Sequence, residues 1–169
     1  MAPLNLKNYI ADSPDFPRPG ILFRDIAPLL RDHFEATLDA LDGLLEGEEW
    51  RGVDAVAGIE SRGFVLGAAL AARRRKGFVL IRKQGKLPPP VVDMPYVLEY
   101  GSGVLEMQPG SGRLLVVDDV LATGGTLNAA AELCVRGGYS VTALAVLIDL
   151  KLADGFTWRH LRPRAAIVY

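Results

Sequence analysis

Asp118 and Asp119 close the apolar run Leu114-Leu115-Val116-Val117, and the chain then continues Val120-Leu121-Ala122-Thr123-Gly124-Gly125-Thr126. Adjacent carboxylates at the edge of a buried segment need hydroxyls, cations or water to satisfy them. Ala122-Thr123-Gly124-Gly125-Thr126 leads into a helix-like stretch, where unpaired backbone N–H groups and the positive end of the helix dipole favour an anion. Glycines let the backbone come close to a phosphate, and Thr123 and Thr126 add hydroxyls. A phosphate cradle beside a pair of acids is the chemistry that these residue types describe. The plain alternative is a strand, a turn and a helix capped by Thr123 or Thr126. A Walker loop is excluded because no lysine precedes the last threonine, and a dinucleotide loop would want a third spaced glycine.

A second corner of the same kind is Gly58-Ile59-Glu60-Ser61-Arg62-Gly63, where an apolar run meets a helix start and Arg62 can offer a planar fork to phosphate oxygens. Its alternative is a salt-bridged helix start. Taken alone, Phe23 reads as core packing and Glu99 as a solvated charge. Arg73-Arg74-Arg75-Lys76 reads as the solvated end of a helix, where the dipole favours cations, in preference to a nucleic-acid patch. His33 and His160 have no metal-ligand spacing, and the single cysteine, Cys134, reads as a buried structural thiol.

The elements that must position these groups follow from hydrophobic pattern. Apolar strand-like runs fall at residues 53–59, 78–81, 114–117 and 141–148, with helix-like stretches between them at 64–75 and 126–136. Strands apolar on both sides, alternating with helices, imply an α/β fold with a mostly parallel central sheet flanked by helices. Ligands then bind at the carboxyl ends of the strands, where both anion corners stand. Residues 4–12 read as a short amphipathic helix, and Ser13-Pro14-Asp15-Phe16-Pro17-Arg18-Pro19-Gly20 as a rigid loop. Residues 96–100 and 104–107 flank Gly101-Ser102-Gly103 as a β-hairpin, preceded by the polar, proline-rich Lys83-Gln84-Gly85-Lys86-Leu87-Pro88-Pro89-Pro90, a functional lid in outline.

With 169 residues, half of them hydrophobic, and a net charge of −1, a single globular domain is expected, without a global field for nucleic acid. The apolar runs fall short of the about 20 residues of a membrane helix, and residues 1–10 lack a basic-then-apolar leader pattern, so a cytoplasmic location is expected. One cysteine excludes a disulfide framework and a cysteine-cluster metal site.

Val116-Val117-Asp118-Asp119-Val120-Leu121-Ala122-Thr123-Gly124-Gly125-Thr126 resembles the phosphoribosyl-pyrophosphate motif of the type I phosphoribosyltransferases. Pro14-Asp15-Phe16-Pro17, Pro19-Gly20-Ile21-Leu22-Phe23-Arg24-Asp25-Ile26, Glu60-Ser61-Arg62-Gly63-Phe64, Ile81-Arg82-Lys83, Gly85-Lys86-Leu87-Pro88 and Leu98-Glu99-Tyr100-Gly101 are similar to the members that take adenine, in the same order. The resemblance implies a single domain over 1–169, with a small N-terminal hood at roughly 1–30 and a flexible loop and β-hairpin lid at roughly 83–107. It implies transfer of the 5-phosphoribosyl group to adenine N9, giving AMP and pyrophosphate, as in purine salvage.

By the same resemblance, Asp118 and Asp119 hold the ribose hydroxyls, and Ala122, Thr123, Gly124, Gly125 and Thr126 hold the 5′-phosphate. Glu60, Ser61, Arg62 and Lys83 bind the pyrophosphate end, and Glu60-Ser61 carries a non-proline cis peptide. Phe23 stacks on adenine, the backbone at Leu22 and Arg24 reads its edge, and Leu150 covers its other face. Glu99 manages the proton of the base near N7, with Arg62 and Tyr100 as its catalytic companions. Mg2+ is implied as cofactor, held mainly by substrate and water near Asp118 and Asp119 with no direct protein ligand, and a homodimer as the assembly; neither a nucleic-acid nor a membrane partner is implied. Two further readings stay open. Another purine or orotate phosphoribosyltransferase would read a 6-oxo base after residues 145–148, where Asp149 stands, and a non-catalytic phosphoribosyl-pyrophosphate-sensing regulator would keep the fold alone.

Overall fold

The computed structural model describes residues 3–98 and 101–169, so Glu99 and Tyr100 lie outside the described residues. The chain divides into two units, residues 1–40 and 41–169. In the first, Leu6–Tyr9 makes a 3-10 turn entered through Asn5, whose side chain accepts the Lys7 N–H at 3.2 Å. The helix expected over 4–12 is cut short there, because Ile10 is already extended and Ala11–Pro14 is a strand, β1. β1 pairs antiparallel with β2, Leu22–Asp25, setting Asp12 opposite Arg24, and their side chains meet at 2.6 Å. A ladder and an ion pair thus override local helical pattern, and Pro14 could not have continued a helix. The loop expected over 13–20 is shorter, since Ser13 and Pro14 belong to β1; in the rest Phe16–Pro17 is cis, Asp15 Oδ1 accepts the Gly20 N–H at 2.8 Å, and Phe16 meets Phe23 edge-on at 5.2 Å. Two helices follow, α1, Ala27–Asp32, with a proline in its first turn, and α2, Phe34–Asp42, which crosses into the second unit.

The second unit opens with α3, Gly47–Arg51, started by a capping box between Glu46 and Glu49. It continues through β3, Ala55–Ile59; α4, Arg62–Arg73; β4, Gly77–Lys83; β5, Val92–Leu98; and β6, Gly101–Met107. β7, Arg113–Leu121; α5, Gly125–Arg136; β8, Ser140–Asp149; and β9, Arg164–Val168 complete it. Seven strands form one sheet in the order β5-β6-β4-β3-β7-β8-β9, parallel from β4 to β9 and antiparallel at the β5–β6 edge. This is the expected mostly parallel α/β sheet. Ala57, Val116, Leu144 and Val146 share one core with Leu127, Ala130 and Leu133 of α5. The alternate residues Val56, Leu115, Val117 and Ala145 are equally buried, which only a second covered face can explain.

That second cover is α4, and its start is pressed onto the sheet. A Cβ on Gly58 would lie 2.7 Å from the Gly63 carbonyl oxygen and from the Phe78 ring, and one on Gly63 would lie 3.1 Å from the Val117 oxygen. The beginning of α4 rests on β3 and β7 because both residues are glycine. At the far end of α4, Arg73 and Arg75 are exposed as expected of a solvated helix end, and Arg74 departs from it. Arg74 donates twice to Asp42, Nε to Oδ1 and Nη2 to Oδ2, each at 2.6 Å, and its guanidinium lies 4.9 Å from the centre of the Trp50 ring.

The hairpin register also differs from expectation. Leu98 pairs with Gly101 and Tyr96 with Gly103, so Gly101-Ser102-Gly103 is strand and not turn. A Cβ on Gly103 would fall 2.7–2.8 Å from the Tyr96 ring and hydroxyl; the glycine that reads as a turn signal is the space for an aromatic across the ladder. Through Arg82–Glu106 and Lys83–Leu105 the hairpin extends the sheet, and Arg136 of α5 donates to the Asp93 carbonyl at 2.6 Å.

Gly58→Ala is expected to lower stability by about 1–3 kcal/mol, since both the Gly63 backbone and the Phe78 ring must give way. Urea unfolding followed by circular dichroism measures it, and an unchanged midpoint would count against this packing.

Candidate active site

The parallel strands deliver their carboxyl ends to one edge of the second unit, and β7 runs on past the end of its pairing with β3. Its pairing with β3 stops at Val117, whereas its pairing with β8 runs on from Asp118–Val146 to Leu121–Asp149. The strand expected to end at Val117 therefore carries both acids within it, open on one flank and held on the other. Both are only 8% exposed. Asp118 Oδ1 accepts the Asp119 N–H at 2.8 Å. Arg62 Nη2 lies 2.6 Å from Asp119 Oδ2 as an ion pair, and Oδ2 has, among the described residues, no hydrogen bond. Burial first, and the Asp119 charge second, push the Asp118 carboxyl well above the ordinary carboxylate range, with the Asp119 N–H and Arg62 pulling the other way.

Past Leu121 the chain turns at Gly124, which has φ +92° and starts α5 without a side-chain cap among the described residues. The alternative of a threonine-capped helix is not what forms. Asn128 N–H makes the first helical bond, to the Gly124 oxygen at 2.9 Å, so the amides of Gly125, Thr126 and Leu127 precede it. Gly124 is also where the Phe156 ring packs, 2.6 Å from the position of a Cβ, and a Cβ on Gly125 would run into the Val97 carbonyl of β5.

At the end of β3 the Glu60–Ser61 peptide is cis, and Arg62 opens α4. The Glu60 side chain, 7% exposed, accepts from Arg82 Nε at 3.0 Å and from Lys86 Nζ at 2.8 Å. Burial pushes its carboxyl up, but the bonds and charges of Lys86 and Arg82 outweigh that and hold it below the ordinary value. Glu60 thus spends its carboxylate on two cations. Lys83 ends β4 with an exposed side chain. Leu150, just past β8, is half-buried, and its N–H donates to the Leu121 oxygen at 3.1 Å. Leu22, Phe23 and Arg24 lie on β2 in the first unit; Leu22 is 46% exposed, Phe23 is half-buried and Arg24 is paired with Asp12.

The sequence reading missed Arg82 and Lys86 as partners of Glu60, and it missed Phe156 behind the glycine pair. It also missed Glu106, which is 3% exposed and accepts the N–H groups of Lys86 at 2.8 Å and Leu87 at 2.7 Å through Oε1. An acid enclosed by Leu105 and Met107 was the available signal. Cys134 is buried as expected, its thiol pushed up by burial to about 12.

No group of three or more His, Cys, Asp or Glu among the described residues could cage a metal ion. Asp118 and Asp119 still offer hard oxygens, and Asp119 Oδ2, beside the Arg62 charge, has no hydrogen bond among the described residues. Such a pair fits a magnesium ion that takes its remaining ligands from substrate and water.

A family model described as phosphoribosyl transferase domain matches residues 36–160. The chain is 49% identical over 165 residues to the adenine phosphoribosyltransferase of Hydrogenovibrio crunogenus, covering 97% of this chain and 96% of that one. It is 49% identical over 166 residues to that of Bdellovibrio bacteriovorus, covering 98% and 100%. Among solved structures, the adenine phosphoribosyltransferase of Thermoanaerobacter pseudethanolicus superimposes with a TM-score of 0.88 at 40% identity, over 97% of this chain and 98% of that one. The Saccharomyces cerevisiae enzyme, solved with adenine and an imino-altritol bisphosphate, gives 0.85 at 34% identity, over 95% and 96%.

Folded Asp118 holds its proton above the ordinary value of 3.8, so as pH rises from that value through the raised one, the folded state loses stability relative to the unfolded chain. Asp118→Asn, which keeps the oxygen facing the Asp119 N–H, is expected to raise the unliganded thermal midpoint by about 2–4 °C. The gain should be larger at about pH 8 than at about pH 5. Thermal melts of both proteins at the two pH values measure it, and a gain independent of pH would contradict the raised titration.

Proposed function

The chain belongs to the adenine phosphoribosyltransferases, within the phosphoribosyl transferase domain family, and we propose that it transfers the 5-phosphoribosyl group of phosphoribosyl pyrophosphate to adenine N9, giving AMP and pyrophosphate in purine salvage. The observation that carries this reading is one continuous segment: two covered acids on β7, then an α5 start with no side-chain cap among the described residues. A sugar phosphate has the matching order of groups, hydroxyls and then a phosphate.

In this mechanism Asp118 and Asp119 accept the ribose hydroxyls, and Asp119 Oδ2 has an unspent lone pair for one of them. The amides at the start of α5, with Ala122, Thr123, Gly124, Gly125 and Thr126 around them, take the 5′-phosphate. Arg62 and the backbone near Lys83 take the pyrophosphate end, beside Glu60 and Ser61. The bond from C1′ to the pyrophosphate oxygen breaks as the bond to N9 forms, and the proton leaving adenine passes to Glu99. Positive charge growing at C1′ is tolerated by the two acids beneath it. Asp118 and Asp119 are the residues that would hold, through water, a magnesium ion to supply charge neutralisation for the leaving pyrophosphate. Adenine binding falls to Phe23, to the backbone of Leu22 and Arg24, and to Leu150. Tyr100 and the lid formed by the loop and hairpin of residues 83–107 keep water from the activated sugar.

The yeast enzyme solved with adenine supports the choice of base. The proposal also takes residues 1–169 as one working domain, with a hood over about 1–30, acting as a cytoplasmic homodimer. No helix among the described residues is long and apolar enough to cross a membrane.

AMP should form from adenine and phosphoribosyl pyrophosphate with magnesium present, and not from guanine, hypoxanthine or orotate in place of adenine. Product chromatography decides it; nucleotide formed from another base would return that base's enzyme, and binding without turnover would return the regulator. Glu99→Gln is expected to lower kcat by about 10²–10⁴-fold with little change in substrate affinity, and an unchanged kcat would remove Glu99 from the chemistry.

A further inference from the structure

Glu106 sits in β6 between Leu105 and Met107, in a stretch otherwise apolar and covered. A covered carboxylate needs partners for its oxygens, and Glu106 finds them outside its own strand. Its Oε1 accepts the Lys86 N–H at 2.8 Å and the Leu87 N–H at 2.7 Å, both in the loop that links β4 to β5. The Val104 carbonyl, two residues earlier, accepts the Gln84 N–H at 2.9 Å. This loop is folded around one anion from its inner side. The fold around Glu106 brings the Lys86 ammonium to Glu60 Oε2 at 2.8 Å, where Arg82 holds the other oxygen at 3.0 Å. Glu60 stands two residues before Arg62, so the loop's cation arrives at the corner where α4 begins.

We propose that Glu106 is a positioning residue for pyrophosphate: by gathering the Lys86 and Leu87 amides it shapes the loop that follows Lys83 and carries Lys86 to Glu60, two residues before Arg62. The inference rests on the phosphoribosyl-transfer reading and adds to it a residue that touches no substrate. Glu106 is suited to a constant hold, because the amides of Leu87 and Gly85 keep its carboxyl below the ordinary range and therefore ionised around neutral pH. An apolar residue would suit the strand as well, but it would leave the two loop amides without their acceptor.

Glu106→Ala and Glu106→Gln test it, the second retaining one oxygen that can accept both N–H groups. Binding of magnesium pyrophosphate alone, by calorimetry, should weaken by about 10-fold or more in Glu106→Ala, up to the about 10²-fold that a misplaced binding group costs. The KM for phosphoribosyl pyrophosphate should rise in parallel, while the KM for adenine stays within about 2-fold, and Glu106→Gln should recover much of the loss. Equal changes in both KM values, or none, would overturn the proposal, as would pyrophosphate affinity equal to wild type. If Glu106→Ala does not fold, Glu106→Gln is judged by the same ratio, with a lesser but still selective loss expected and an unselective one fatal. A wild-type protein that binds pyrophosphate but forms no AMP would sink the transfer reading and leave the calorimetric comparison to decide Glu106.

Discussion

Two carboxyl groups held side by side, with little water to separate them, are the constraint around which the second unit is arranged. Asp118 and Asp119 share one strand and are equally covered, and the Arg62 guanidinium lies 2.6 Å from Asp119. Electrostatics in such a place is strong in both directions, since low local dielectric amplifies repulsion as well as rescue. Arg62 provides the rescue only because α4 begins hard against β7, and that approach depends on hydrogen in place of methyl at Gly58 and Gly63. The close packing of a helix on a sheet, ordinary in itself, is here the means of bringing a cation to acids that the strand has carried past their neighbour. Sites that strain the folded state in this way are common where a ligand is meant to relieve the strain.

The four covered acids of this edge divide by how far their oxygens are satisfied. Glu60 gives its oxygens to Arg82 and Lys86, and Glu106 accepts two loop amides. Those carboxylates are held below the ordinary range and have their work inside the protein. Asp118 is pushed the other way, and Asp119 keeps an oxygen with no hydrogen bond among the described residues. The same residue type is thus spent on internal partners on β3 and β6 and keeps an oxygen without a hydrogen bond among the described residues on β7, and only the partners tell them apart.

That division marks what could be read from the sequence. Apolar runs covered on both faces announce parallel strands, and Asp118-Asp119 followed by Thr123-Gly124-Gly125-Thr126 announces a ligand edge, because both signals are local. The register of β7 was hidden, since nothing in Leu114 to Leu121 says that β8 would carry the strand past Val117. Gly103 and Arg74 misled for a related reason: each looks like punctuation or surface until Tyr96, or Asp42 and Trp50, arrives from elsewhere in the chain. The short helices α1 and α3 and the strand β9 carry too few residues for a period to show. Glu106 was invisible as a loop anchor because its partners are amides, which every residue has.

The glycine pair at the start of α5 shows how far a binding loop is shaped from behind. Gly124 is required by its positive φ and again by the Phe156 ring, whereas Gly125 is required by the Val97 carbonyl at the end of β5. Neither demand comes from the ligand side. A side chain at either position would have to displace a ring or a strand before it reached any phosphate, so the openness of the cradle is a by-product of what packs against its back. The hairpin strand β5 is one of those packing partners, so the start of α5 and the hairpin share a close backbone contact. A ligand held at this edge would be oriented by the same contacts that hold the fold together.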